Sequence, residues 1–199
     1  MAANKIVPSR TALLLLDLQV MYTKMDPKFE AVVTHTAPII KAARSLGITI
    51  AHCRVAFTES EAAAVPDTNA TFSRLKHDPS RAASYGVDSP PAAFHPDVAP
   101  EEGDIVVRKH RVGPFFNAPQ DVHAIFKGRG IDTLILGGIS TGGAVAATVV
   151  QAADLDYRLF VLSDACADRE QETHDFLLTF FAKRGTVINS TELNSLIGG

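Results

Sequence analysis

The chain has 199 residues, with 19 basic and 22 acidic side chains interspersed to a net charge of -3 and only two cysteines, Cys53 and Cys166. That length allows one ordinary domain over 1–199. The balance leaves no basic face for nucleic acid, and two unpaired-looking cysteines exclude a disulfide framework and any CxxC metal motif. The longest early apolar run, residues 12–16, is far shorter than the ~20 residues a membrane span needs, so a cytoplasmic protein with no membrane partner is expected.

In chain order, residues 11–16 form the first short apolar run, rich in leucine and ending at Asp17. Thr36 and Pro38 then read as the start of a helix that continues through Ile39, Ala42, Ala43 and Leu46 to a stop at Gly47. Further continuous runs at 48–55, 104–107, 133–136, 158–162 and 186–188 read as strands of a parallel sheet buried on both faces. Helical spacing recurs at 119–127, 140–154 and 170–183. Strands alternating with helices predict an α/β, three-layer αβα sandwich with a six-stranded, mainly parallel sheet. Residues 58–103 break this rhythm with six prolines and no periodicity. A segment of that length is either a surface excursion serving oligomerisation or a wall over an active site.

Ligands of open parallel sheets bind beyond the carboxyl ends of the strands. Three such places carry chemistry. Asp17 follows the first strand, where partial burial raises a carboxyl pKa toward acid/base use; the other reading of an Asp at a strand end is a helix cap or turn former. Lys109 follows the third strand within Arg108-Lys109-His110-Arg111, either a solvated rim or, at the end of a strand neighbouring the first, the cationic partner of Asp17. The third place is the glycine-rich stretch 137–148, where a strand enters a helix and presents backbone N–H groups to an anion or oxyanion. Its glycines lack GxGxxG spacing, so it is no dinucleotide fingerprint.

Taken together, Leu16-Asp17-Leu18-Gln19, Arg108-Lys109-His110-Arg111-Val112-Gly113-Pro114-Phe115, Gly138-Ile139-Ser140-Thr141-Gly142-Gly143-Ala144-Val145 and Ser163-Asp164-Ala165-Cys166-Ala167 resemble the isochorismatase-like (cysteine hydrolase) superfamily. The resemblance implies that fold, a homo-oligomer (dimer or tetramer), a small-molecule substrate and no cofactor. It puts a catalytic Asp on Asp17 and a catalytic Lys on Lys109, while the nucleophilic cysteine of the amidases falls on Ala144. It also implies a cis peptide between Ile139 and Ser140, with the N–H groups of Ser140 and Ala144 serving the pocket. A methyl group cannot form the covalent intermediate of thiol-based amide hydrolysis. Isochorismatases cleave a vinyl ether by protonation from the Asp and need no nucleophile. A hydrolase of that kind acting on a small carboxylated metabolite is therefore the leading expectation. A silent binding protein and an amidohydrolase whose thiol has been replaced at Ala144 remain the alternatives. Arg54 and Arg111 are candidate carboxylate ligands, Phe115 an apolar wall, and Gln19, Tyr22 and Thr141 further substrate contacts. No metal site is expected, because His52-Cys53-Arg54 stands where nicotinamidases carry an Asp-x-His pair.

Overall fold

The computed structural model describes residues 5–197. Six strands, β1 (Thr11–Leu16), β2 (Thr49–Val55), β3 (Ile105–Lys109), β4 (Thr133–Ile139), β5 (Arg158–Ala167) and β6 (Thr186–Ile188), form one sheet in the order β3-β2-β1-β4-β5-β6. Every neighbouring pair is parallel. Side chains of alternate parity on β1 enter opposite cores: Ala12, Leu14 and Leu16 join one cluster, Leu13 and Leu15 the other. This is why the run of leucines is continuous, since neither face meets water.

One face is covered by α2 (Pro27–Ser45), with Phe29, Val32, Val33, Ile39, Ile40 and Ala43 buried. The other is covered by α5 (Val122–Gly128), α6 (Ala146–Asp154) and α7 (Gln171–Phe181), which bury Phe126, Val149 and Phe181. Three layers result. Helix α2 begins well before Thr36. Asp26 caps it by accepting from Lys28 N at 2.9 Å, Pro27 occupies its first turn, and Pro38 lies inside it. The apolar stripe from Phe29 to Ala43 outweighs the hydrogen bond that Pro38 cannot donate.

Short helices fill the connections: α1 (Val20–Thr23) after β1, α3 (Glu59–Ala63) and α4 (Pro79–Ser84) within residues 58–103, and α8 (Leu193–Leu196) at the end. The excursion has a small core of its own, in which Phe57, Ala62, Val65, Phe72, Leu75 and Tyr85 pack together. Arg54 fastens it to the sheet by donating to Val87 O and Ala92 O, at 2.9 and 3.0 Å. Among the described residues no helix is long and apolar enough to cross a membrane.

Candidate active site

The strand order reverses between β1 and β4, so the chain leaves their carboxyl ends in opposite directions and opens a crevice there. At this point the two backbones nearly touch. Gly138, paired with Leu16, has φ +141°, and a Cβ on it would meet Leu16 O at 2.1 Å. Only glycine fits. Across the crevice Asp17 adopts φ +55° and donates its N–H to Cys53 O at 2.9 Å, which turns the chain off the sheet and leaves the carboxylate at the crevice floor. The Ile139–Ser140 peptide is cis, and the chain then makes one π-helical turn over Thr141–Val145 before α6.

Lys109 stands two strands from Asp17, with β2 between them, so they do not end neighbouring strands. The lysine's length closes the gap, and Nζ meets Asp17 Oδ2 at 2.7 Å while also donating to Val112 O (2.7 Å) and Arg111 O (3.3 Å). Three donors meet three acceptors, which is how a fully buried ammonium is tolerated. Asp17 is 5 % exposed and Lys109 1 %. Burial raises the Asp17 pKa, and the adjacent Lys109 charge offsets this only in part. The second carboxylate oxygen, Oδ1, is buried with no hydrogen-bond partner.

Above this pair lies a cavity of about 300 Å³, within the range of small-molecule sites. Asp17, Lys109, Ser140, Gly143 and Ala144 line its floor. Tyr22 comes from α1, while Phe72, Arg81 and Tyr85 come from the excursion, which is therefore a wall of the cavity. The Tyr22 and Tyr85 hydroxyls are 3.2 Å apart, and burial raises the Tyr22 pKa, keeping it a neutral donor. Asp168 and Arg169, from the end of β5, complete the rim, with Asp168 Oδ2 accepting from Gly142 N at 2.6 Å.

Several expected substrate contacts lie elsewhere. Arg54 holds the excursion carbonyls described above. The Arg111 guanidinium donates to His110 O, and it is the Arg111 carbonyl that serves the site, through Lys109. Phe115 stacks on Tyr157 and packs against Phe126 in the core. Thr141 is buried, its hydroxyl 2.8 Å from His174 Nδ1. Gln19 is fully buried, joining Val55 N, Val55 O and Ala92 O, so its amide ties β2 and the excursion to the turn that carries Asp17. His95 sits against Glu30, outside the cavity. Arg81 and Arg169, which the sequence pattern did not single out, lie in a helix of six residues and beyond a strand, too short or too irregular a context for periodicity to mark them.

No group of three or more His, Cys, Asp or Glu among the described residues has the arrangement to hold a metal. Cys53 lies in β2 and Cys166 in β5 itself, and burial pushes both thiols up to about 12. Neither forms a thiolate near neutral pH. Both are expected to resist a thiol-specific disulfide reagent at pH 8 in the native protein and to react stoichiometrically in denaturant; rapid labelling of native protein would show that a cysteine is exposed and reactive.

Residues 11–192 match the family model for the isochorismatase domain. An uncharacterized isochorismatase family protein of Bacillus subtilis, YwoC, is 29 % identical over 92 % of this chain and 91 % of its own length. The maleamate amidohydrolase of Pseudomonas putida is 32 % identical over 50 % of this chain and 46 % of its own length. Among solved structures, an isochorismatase family protein from Burkholderia thailandensis superposes with a TM-score of 0.79 at 25 % identity, covering 98 % of this chain and 99 % of that one.

Proposed function

The chain belongs to the isochorismatase family of hydrolases, and from that premise we propose that it hydrolyses a small carboxylated metabolite by general-acid chemistry, without a covalent intermediate or a cofactor. The observation that carries this reading is the state of Asp17. A carboxyl whose pKa is raised by burial holds its proton nearer neutral pH, and one whose Oδ2 is bound to Lys109 has only Oδ1 left to address a substrate.

For a vinyl ether the steps balance as follows. Asp17 gives its proton to the terminal alkene carbon, and the electron pair of the double bond forms the new C–H bond. The resulting oxocarbenium ion takes up water, whose proton returns to the Asp17 carboxylate. The hemiketal then collapses: its C–O bond breaks with the electron pair leaving on the departing oxygen, which takes up the proton lost by the hemiketal hydroxyl, and an alcohol and a carbonyl compound are released. Lys109 stabilises the carboxylate that exists between the two proton transfers. Ser140 and Ala144 contribute main-chain N–H groups toward oxygen atoms that gain negative charge, and Tyr22 orients the substrate.

A second reading is favoured by the match to an amidohydrolase: a cysteine amidase whose nucleophile is absent at Ala144. Its site would lack the bond-forming atom, and neither buried thiol supplies one. The readings separate in one assay, in which purified protein and the Ala144→Cys variant are each offered isochorismate and a panel of small amides. Vinyl-ether turnover by the unaltered chain supports the acid mechanism. Inactivity of the unaltered chain with amide cleavage by Ala144→Cys overturns it, and inactivity of both points to a binding protein that keeps Asp17 and Lys109 as a buried structural pair.

A further inference from the structure

We infer that this cavity takes a dianion, and that Arg81 and Arg169 are the residues that select it. The inference rests on the cavity being the substrate site, as proposed above, but not on any particular bond being cleaved.

The charges lining the cavity are five: Asp17, Lys109, Arg81, Asp168 and Arg169. Asp17 and Lys109 neutralise each other at 2.7 Å, and protonation of Asp17 leaves the site one charge more positive. Asp168 accepts from Gly142 N but keeps its charge, so the lining sums to +1 with Asp17 ionised and +2 with Asp17 protonated. The two guanidiniums have no such use. Arg81 bonds through its main chain alone, its N–H donating to the capping Asp78 and its carbonyl accepting from Tyr85 N, while Arg169 accepts from Lys28 Nζ on its carbonyl and sends its guanidinium only to the sulfur of Met25, at 3.3 Å. No ion pair to a carboxylate is made by either among the described residues, although most other arginines of the chain find an acidic or carbonyl partner.

Their placement separates them. Arg81 projects from α4 in the excursion, and Arg169 follows β5 on the sheet side of the rim. Two unpaired cations on different walls of a cavity of about 300 Å³ match two anionic groups on one small ligand, each able to take a guanidinium fork. Phe72, Val112 and Ile139 give the same cavity an apolar lining, which suits a short carbon skeleton joining the two acids. A chain with net charge -3 thus presents a locally cationic mouth, which also raises the rate of encounter with anions.

The test uses three probes of one size that differ in charge: maleate (two carboxylates), maleamate (one) and maleamide (none). Each is titrated calorimetrically into the native chain, with ammonia release followed in parallel so that turnover is kept separate from binding. Affinity is expected to fall in that order, by about tenfold per charge removed. Arg81→Gln and Arg169→Gln, each checked for an unchanged thermal melt, are each expected to weaken maleate about tenfold while leaving maleamide unaffected. Equal binding of all three probes, no saturable binding of maleate, or arginine variants that weaken maleamide as much as maleate would overturn the inference. Because binding is read without catalysis, failure of the acid mechanism leaves the charge order intact, and loss of the charge order leaves vinyl-ether turnover intact.

Discussion

Asp17→Asn is expected to lower kcat about 10²–10⁴-fold, the range associated with loss of a positioned general acid. The amide keeps the shape and can still accept from Lys109, so binding of a non-reacting ligand should survive while turnover does not. The pH dependence of the native enzyme has a definite sign. Under the proposed mechanism Asp17 works as an acid in its protonated form, so activity is expected to be full below its pKa and to be lost as pH rises through it. That pKa lies above 3.8 because the carboxylate is desolvated. In Lys109→Met the neighbouring charge that opposes this shift is gone, so the descending limb of the profile should move to higher pH. An unchanged limb would mean that another group supplies the proton.

Lys109→Met also has a stability signature. Removing one partner of a buried pair costs about 3–5 kcal/mol when the other stays charged, but Asp17 can escape by binding a proton. Its folded pKa being raised, the folded state binds more protons than the unfolded one between 3.8 and the folded value. Stability contributed by this group therefore falls as pH rises through that window and is flat above it. The deficit of Lys109→Met should accordingly be smaller at acid pH than at alkaline pH, in urea melts compared with the native chain. A pH-independent deficit would argue that Asp17 does not titrate in the folded protein.

Gly138→Ala is expected to be the most damaging single methyl in the chain. The added Cβ would lie 2.1 Å from Leu16 O and 2.7 Å from Leu16 N, both backbone atoms of the adjacent strand, on a residue held at φ +141°. Neither strand can move without parting β1 from β4 at the site. A loss of about 4 kcal/mol or more follows, equivalent to roughly 8–16 °C in Tm for a domain of this size, or failure to accumulate folded protein. A melt within a degree or two of the native chain would show that the two strands are further apart than described. Gly47→Ala serves as the comparison, since its Cβ would meet nothing within 4 Å and the cost there is confined to the positive φ.

The strands were the most legible elements, and the reason is burial on both faces. Residues 11–16 and 186–188 read as strands because every position is apolar or small, and they are strands with those limits. β5 runs on to Ala167, past the apolar run ending at Leu162, because Ser163 and Asp164 extend it with polar side chains that Ile188 O and Ser190 satisfy. The sequence pattern starts helix α2 at Thr36 because Pro38 resembles a first-turn proline; the cap at Asp26, followed by Pro27, has the same character ten residues earlier, and local chemistry alone does not rank the two. In the site, Asp17 and Lys109 were visible as strand-end charges, whereas strand order was not. Only the assembled sheet shows that Lys109 reaches across β2. Arg54 leaves the role expected of it, and Arg81 takes a place at the cavity, for the same reason. A guanidinium at a strand end looks like a ligand, yet a long excursion folding back over the sheet supplies carbonyls to Arg54 and brings Arg81 to the rim.

The manner in which the excursion is fastened bears on how this fold diversifies. Its side-chain anchors to the sheet are Arg54 and Gln19, which engage Val87 and Ala92, and Arg108 of β3, whose guanidinium forks onto Glu61, while the rest of the stretch packs largely on itself through Phe57, Phe72, Leu75 and Tyr85. The segment is thus a cassette with a fixed hinge and its own filling. A foreign sequence of similar length, inserted between Phe57 and Val87 with those anchors kept, would re-upholster one wall of the cavity while Asp17 and Lys109 stay on their strands. Ligand preference and proton chemistry are in this sense heritable separately, and the excursion is the place where a library aimed at new substrates should be built.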